Sequence, residues 1–323
     1  KVISLKKSID LEKSLEDLVP VNKFEDASKK KTFNPKVRQV ADTYAASKGL
    51  KLEHPTSQAK VNPEFATKVA SAYHEMKHDP KHPDVKRAYD ALKKETADQY
   101  KAIKNSGLKI SKIKSGEPNP YKSSKDVLHD IHANNHLHFY PTESGYGSDP
   151  SKNASDHPML EPTDEMHEGQ PLLANDMFRI VHDYFGHAKE GNGFGPNGEE
   201  NAYQNHARMY SPEARKALAS ETRGQNSWVN FGPHAEHNKA NPGKTIYADQ
   251  KAGLLPDWAH QTDDTIKKAE KLNLVHYSDK PNLQEVDPKC QGNGADSRTK
   301  GRSSWHPHSF YYREGSQPES LVT

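Results

Sequence analysis

A single cysteine, Cys290, stands in the 323 residues, which excludes an internal disulfide and any zinc site built from several thiolates. Long apolar runs are missing as well. No stretch of 18 apolar residues occurs, so a transmembrane helix is excluded. No apolar segment follows the basic start, so no secretory leader is expected there, and the expected setting is reducing and cytoplasmic. Charge of one sign is scarce: 46 basic residues against 44 acidic ones leave +2, too even a balance for nucleic acid to be the main partner. Apolar residues make up only 32%, and mean hydropathy is −1.05. Cores must therefore sit in the richer segments, joined by long polar connections.

Histidine is what the chain has in excess. There are 19, and twelve of them lie from His129 to His260. Clustered imidazoles raise the odds of a metal or acid–base centre, so the middle of the chain is where chemistry is expected.

Residues 1–33 are Lys-rich, with Lys29-Lys30-Lys31 near their end, and read as a charged arm. Asn34-Pro35 and Asn62-Pro63 are two helix starts of the same kind, with Asn as cap and Pro in the first turn. Val37, Val40, Ala41 and Tyr44 follow the first at helical spacing. Phe65, Val69, Tyr73 and Met76 follow the second. A third helix begins near Pro83 and carries Val85, Tyr89, Leu92, Thr96 and Ile103 on one stripe. Residues 34–107 thus read as a helical segment containing an α-hairpin. Leu108–Ile113 and His136–Tyr140 are short strand candidates, while 141–170, rich in Pro, Ser, Asp and Gly, reads as loop. Helices are expected from Asn175, over roughly 199–210 and 212–229, and near 262–272. Residues 108–275 form the expected helical metal-binding domain and 276–323 an extended polar tail. The fold class is mainly α with a few short strands.

The informative run is His182-Asp183-Tyr184-Phe185-Gly186-His187. Five residues along an ideal α-helix leave two side chains about 140° apart, so these imidazoles would not share an ion on an undisturbed helix. Gly186 offers a way out as a helix terminator, with His187 swinging back toward His182. A third ligand is expected from a later helix. The apolar stripe Ala214, Leu218, Glu221, Gln225, Trp228 carries a carboxylate toward the interior, which is costly unless it is paired or binds metal. His182, His187 and Glu221 would then make the two-histidine, one-carboxylate set of non-haem Fe(II) enzymes, with positions open for dioxygen and substrate. The other use of Glu221 is a buried ion pair with Arg223 or Arg179. His206, on the stripe Ala202, Tyr203, His206, Met209, competes as a ligand, as does the His234–His237 loop. His129, His132, His136 and His138 could build a second metal site. Asp183 and Tyr184 are candidate catalytic side chains. Arg223, Gln225, Asn226 and Trp228 are candidates for substrate binding. The run Gly191–Gly198 lacks the Gly-Lys-Ser/Thr ending of a phosphate loop.

The same residues carry a resemblance. His182–His187 resembles the His-Glu-Leu-Leu-Gly-His run of the pterin-dependent aromatic amino acid hydroxylases. Their third iron ligand is a Glu on a later helix, and Glu221 lies 34 residues past His187. Tyr247–Leu255 resembles the family's Gly-Ala-Gly-Leu-Leu stretch, although Pro256 stands where the family has Ser. The likeness spans about 130 residues, from Leu128 to Trp258. It implies a helical metal-site domain like that family's catalytic core, Fe(II) as cofactor, tetrahydropterin as reductant with Asp183 at the pterin, and a small-molecule substrate with O2. The expected activity is that of a non-haem Fe(II) oxygenase or hydroxylase. Two alternatives stay open. One is a zinc hydrolase at the same site, with Asp183 or Glu200 as base. The other is a non-enzymatic helical assembly protein with a structural metal, virion-associated, because the N-terminal helices resemble phage-encoded proteins. Protein partners or a homo-oligomer would then form through the charged arm and the tail.

Overall fold

The structure is a computed structural model that describes residues 2–4, 22–24, 33–55, 58–114, 116–147, 155–262, 274–277 and 311–313. The chain divides into two compact units, one of residues 21–260 and one of residues 1–20 with 261–323. In the latter, β1 (Val2–Ser4) and β9 (Tyr311–Arg313) pair antiparallel with β8 (Leu274–Tyr277) between them. The helix expected near 262–272 and most of the arm and tail lie outside the described residues. Among the described residues no helix is long and apolar enough to cross a membrane.

Unit 21–260 is mainly helical. Strand β2 (Asn22–Phe24) pairs antiparallel with β3 (Ala59–Val61). Helix α1 (Pro35–Ser47) starts where Asn34 Oδ1 accepts from the Lys36 and Val37 amides. Helix α2 (Pro63–Glu75) repeats the device, with Asn62 accepting from Glu64 and Phe65. Pro in the first turn lacks only an N–H that has no partner within the helix in any case. Helix α3 (Pro83–Asn105) buries Val85, Tyr89, Leu92, Thr96 and Ile103, the stripe read from the sequence.

The chain continues through α4 (Ser124–His129), α5 (Ala174–Val181), α6 (Pro196–Ala207), α7 (Pro212–Ala219), α8 (Gln225–Phe231) and α9 (Ala235–Ala240). Helices α2 and α3 pack chiefly on α8 and α7 respectively, so their apolar stripes serve the later helices. Helix α5 begins one residue before the expected Asn175 cap, with the Leu173 amide donating to Asp176.

Strand β4 (Lys109–Lys112) pairs parallel with β5 (His136–Phe139). The segment read as loop over 141–170 contains most of a hairpin instead, β6 (Pro162–His167) and β7 (Gln170–Leu173). Its turn places Glu168 and Gly169 at φ 49° and 79°. Positive φ at both central residues matches the twist of paired strands, and the polar strand composition hides the alternation. The core joins Val37 and Tyr100 to Leu137, Phe139, Ile180 and Phe185, so the N-terminal helices and the middle of the chain share one interior.

Candidate metal centre

Helix α5 does not stop at Gly186. It runs on as a π-helix over His182–Ala188, in which each amide bonds five residues back, so residues five apart fall on one face. That register brings His182 and His187 together, their rings 5.0 Å apart and perpendicular. Gly186 has a role other than termination. A Cβ there would stand 2.9 Å from His182 Nδ1 and 3.4 Å from the Ala202 Cβ, so glycine leaves the imidazole room to lie against the backbone between α5 and α6.

The carboxylate that joins the histidines is Glu199. Its Oε2 lies 3.4 Å from His187 Nε2 and 3.8 Å from His182 Nε2, and one ligand atom from each residue falls within 4.8 Å of the others. Glu199 sits in the first turn of α6, which follows Gly195-Pro196. The preceding glycine loop folds back on itself, and a Cβ on Gly198 would collide with the Gly193 carbonyl. The close turn carries the start of α6 to the histidines.

Hydrogen bonds choose the tautomers. Gln99 Nε2 donates to the Met209 carbonyl at 3.4 Å, which turns Gln99 Oε1 toward His206 Nε2 at 2.9 Å. His206 Nε2 therefore carries the proton and its Nδ1 accepts. His206 Nδ1 is 3.0 Å from His182 Nδ1, so His182 donates there and its Nε2 holds a lone pair. That Nε2 is buried without a hydrogen-bond partner. His187 Nδ1 lies 3.2 Å from the Asn192 carbonyl, so Nδ1 donates there and Nε2 is the nitrogen turned to Glu199. Two Nε2 atoms turned toward one carboxylate suit a divalent ion, and a hydrogen bond on the other ring nitrogen is the usual support of a ligand histidine.

Without an ion, the carboxylate and the imidazoles hold one another's charge. Burial pushes the Glu199 carboxyl up, but His187 and His182 outweigh it and hold it down to about 2. Burial lowers His187, but Glu199 outweighs that and raises it. His206 is pushed well below its ordinary value by burial and by His182 and Lys189, which keeps it neutral. Burial raises Asp183 against the pull of the two histidines.

The centre opens on a cavity of about 750 Å³. Phe178 stacks on the His182 ring with centroids 5.7 Å apart. Asp183, Arg179, Glu221, Gln225 and Asn226 line the same space.

Several expected roles change. Glu221 stands outside the metal group. It accepts from the Tyr89 hydroxyl at 2.6 Å and from Gln225 at 3.1 Å, and π-helical winding over Ser220–Gly224 sets its direction. Tyr184 is a core residue, 1% exposed, with its hydroxyl 3.4 Å from Ser106 Oγ. Arg223 makes a bidentate buried pair with Glu200 at 2.5 and 2.9 Å, donates to the Ala259 carbonyl and stacks over Tyr203. It is therefore structural, and Glu200 is committed to it. Trp228 donates to His74 and packs beside His234, away from the cavity lining. Among the described residues neither His234 nor His237 joins a group able to hold an ion.

A second cluster of ligand type unites His136 and His138 with Asp130. The π-helical turn Asp130–Asn134 and left-handed Asn135 return the chain so that Asp130 Oδ2 lies 2.7 Å from His136 Nδ1. Tyr121 donates to the same oxygen, and Ser111 Oγ lies 2.9 Å from His136 Nε2.

Sequence reasoning missed Glu199, Gln99 and Asn192. An acidic residue in a first turn reads as an ordinary match to the helix dipole, and nothing in the spacing ties Gln99 to His206. No protein-family model, curated protein or solved structure matches the chain.

Proposed function

We propose that the chain is a metal-dependent oxygenase of the non-haem Fe(II) class, with His182, His187 and Glu199 as ligands. The observation that carries this reading is the convergence of His182 Nε2, buried without a hydrogen-bond partner, and His187 Nε2 on the Glu199 carboxylate at the wall of a substrate-sized cavity. Bound there, Fe(II) would supply open positions at which O2 and substrate meet. The chain's own residues do the rest. His206 and the Asn192 carbonyl accept at the Nδ1 atoms and so turn each Nε2 toward the ion, Phe178 fixes the His182 ring, and Gln225 and Asn226 face the substrate. In this reading the reductant is a tetrahydropterin that would meet Asp183.

The zinc hydrolase reading has one observation in its favour. Asp183 lines the cavity next to His182 with its carboxyl raised by burial, as suits a base that takes a proton from attacking water.

Reconstitution of the metal-free full chain with Fe(II) under argon is expected to yield about one iron per chain at this site. His182→Ala and Glu199→Gln are expected to lose most of it, whereas Glu221→Gln keeps it. Iron retained in both ligand variants would overturn the assignment. Turnover with zinc in the absence of O2 would favour the hydrolase.

A further inference from the structure

Glu221 is a buried carboxylate without a cation. Its side chain is 3% exposed, it lines the cavity, and among the described residues no Lys or Arg pairs with it. Its donors are the Tyr89 hydroxyl and the Gln225 amide. The third neighbour is His157, whose Nε2 lies 3.4 Å from Glu221 Oε1. His157 Nδ1 accepts from the Met159 amide at 3.2 Å, which leaves Nε2 as the nitrogen turned to Glu221. That Nε2 is buried and has no partner at hydrogen-bonding geometry. Among the described residues the carboxylate is thus surrounded by a phenol, an amide and an imidazole, with no Lys or Arg.

The rest of the cavity does not balance this charge. Glu199 belongs to the metal centre, and Asp183 adds a further carboxylate to the lining. Among the described residues the cavity's one Lys or Arg is Arg179. Its guanidinium donates to the Tyr140 and Gly145 carbonyls at 2.8 and 2.6 Å and lies in the field of Asp176 and Asp183. It holds the loop over the cavity and is taken. A carboxylate buried without a counter-charge is costly, and a ligand that brings a cation removes that cost. Aromatic rings line the same space: Tyr140, Phe178, Phe194 and Tyr247. Carboxylate and aromatic groups together are what an ammonium prefers.

From this arrangement we infer that the cavity takes a primary amine lacking a carboxylate, its ammonium held by Glu221. The inference rests on the cavity being the substrate chamber of the proposed metal site. A carboxylate on the same ligand would meet Asp183 and Glu221 and find Arg179 already engaged, so an amino acid is disfavoured.

The test uses the full chain loaded with zinc, which is redox-silent, and three probes: 2-phenylethylamine, 2-phenylethanol and phenylalanine. Phe178, Phe194 and Val229 in the lining suit the phenyl group. Calorimetry or ligand-observed NMR is expected to show the amine binding at least about tenfold tighter than the other two. Glu221→Gln is expected to abolish that preference with zinc affinity unchanged. Glu221→Asp is expected to keep part of it, and it serves as the reporter should the Gln variant fail to fold. Equal affinities for amine and alcohol, no amine binding at millimolar concentration, or a preference undisturbed in Glu221→Gln would each overturn the inference. Zinc stoichiometry from the same samples reports on the metal reading separately: an amine preference without zinc binding would sink the metal site and leave the ammonium site standing.

Discussion

His206 determines which nitrogen of His182 is free. Were its proton on Nδ1, it would face the His182 Nδ1 proton, and His182 would have to present a protonated Nε2 to the cavity. Gln99 prevents this by accepting from His206 Nε2. Gln99→Leu is therefore expected to lower metal affinity about 10–100-fold, in the range found for supporting partners of ligand histidines, as measured by chelator competition. The metal-free centre should also show a pH signature. His187 is raised above 6.5 by Glu199, so its contribution to stability is complete below 6.5 and is lost as pH rises through the raised value. Glu199 is lowered from 4.5 to about 2, so its contribution is complete above 4.5 and is lost as pH falls toward 2. Metal-free wild type should gain most over Glu199→Gln between 4.5 and 6.5, as read by melting temperature across pH. Metal affinity should rise with pH over the range where His187 releases its proton. Away from the centre, Arg223→Leu leaves Glu200 buried and uncompensated, and should cost about 3–5 kcal/mol by denaturant unfolding.

At the scale of the element, the π-helical stretch His182–Ala188 makes the site. An α-helical register would point His187 away from His182. The π register widens the helix locally, and Gly186 lets the His182 ring occupy the space against the backbone. Gly186→Ala tests this. In an ordinary helix interior the change would stabilise by about 0.5–1 kcal/mol. Here the new methyl meets His182 Nδ1, so metal affinity should drop about tenfold or more while the metal-free chain still folds cooperatively. Unchanged metal affinity would mean that the ring has room to spare. Helix α7 shows the same device, passing into π-helix over Ser220–Gly224 before α8. There the altered register leaves Glu221 beside Tyr89 and Gln225 rather than beside the histidines.

For the whole molecule, each ligand and each supporting partner of the metal centre lies between Gln99 and Met209, inside the unit of residues 21–260. That unit has its own buried core, from Val37 on α1 to Met209. A polypeptide of residues 21–260 is thus expected to melt cooperatively within a few degrees of the full chain and to bind metal with equal affinity. Loss of cooperative melting on removing 1–20 and 261–323 would show that the two units stabilise one another.

What the sequence determined by itself is local. Asn34-Pro35 and Asn62-Pro63 start helices because an Asn side chain and a proline ring act within one turn. Val85 to Ile103 mark a buried stripe because helical period is a property of neighbours. The His182–Asp183–His187 run marks the centre by residue type alone. Long-range packing selects which carboxylate joins the histidines, Glu199 rather than Glu221. Both are acidic residues at helical positions, and the sequence signals separating them were a first-turn location and a buried stripe, which favoured the other residue. The choice depends on backbone register and on a closed glycine loop. Hydrogen bonding to the fifth residue rather than the fourth, and Gly193 against Gly198, are set by packing between segments far apart in the chain, where short-range spacing carries no information.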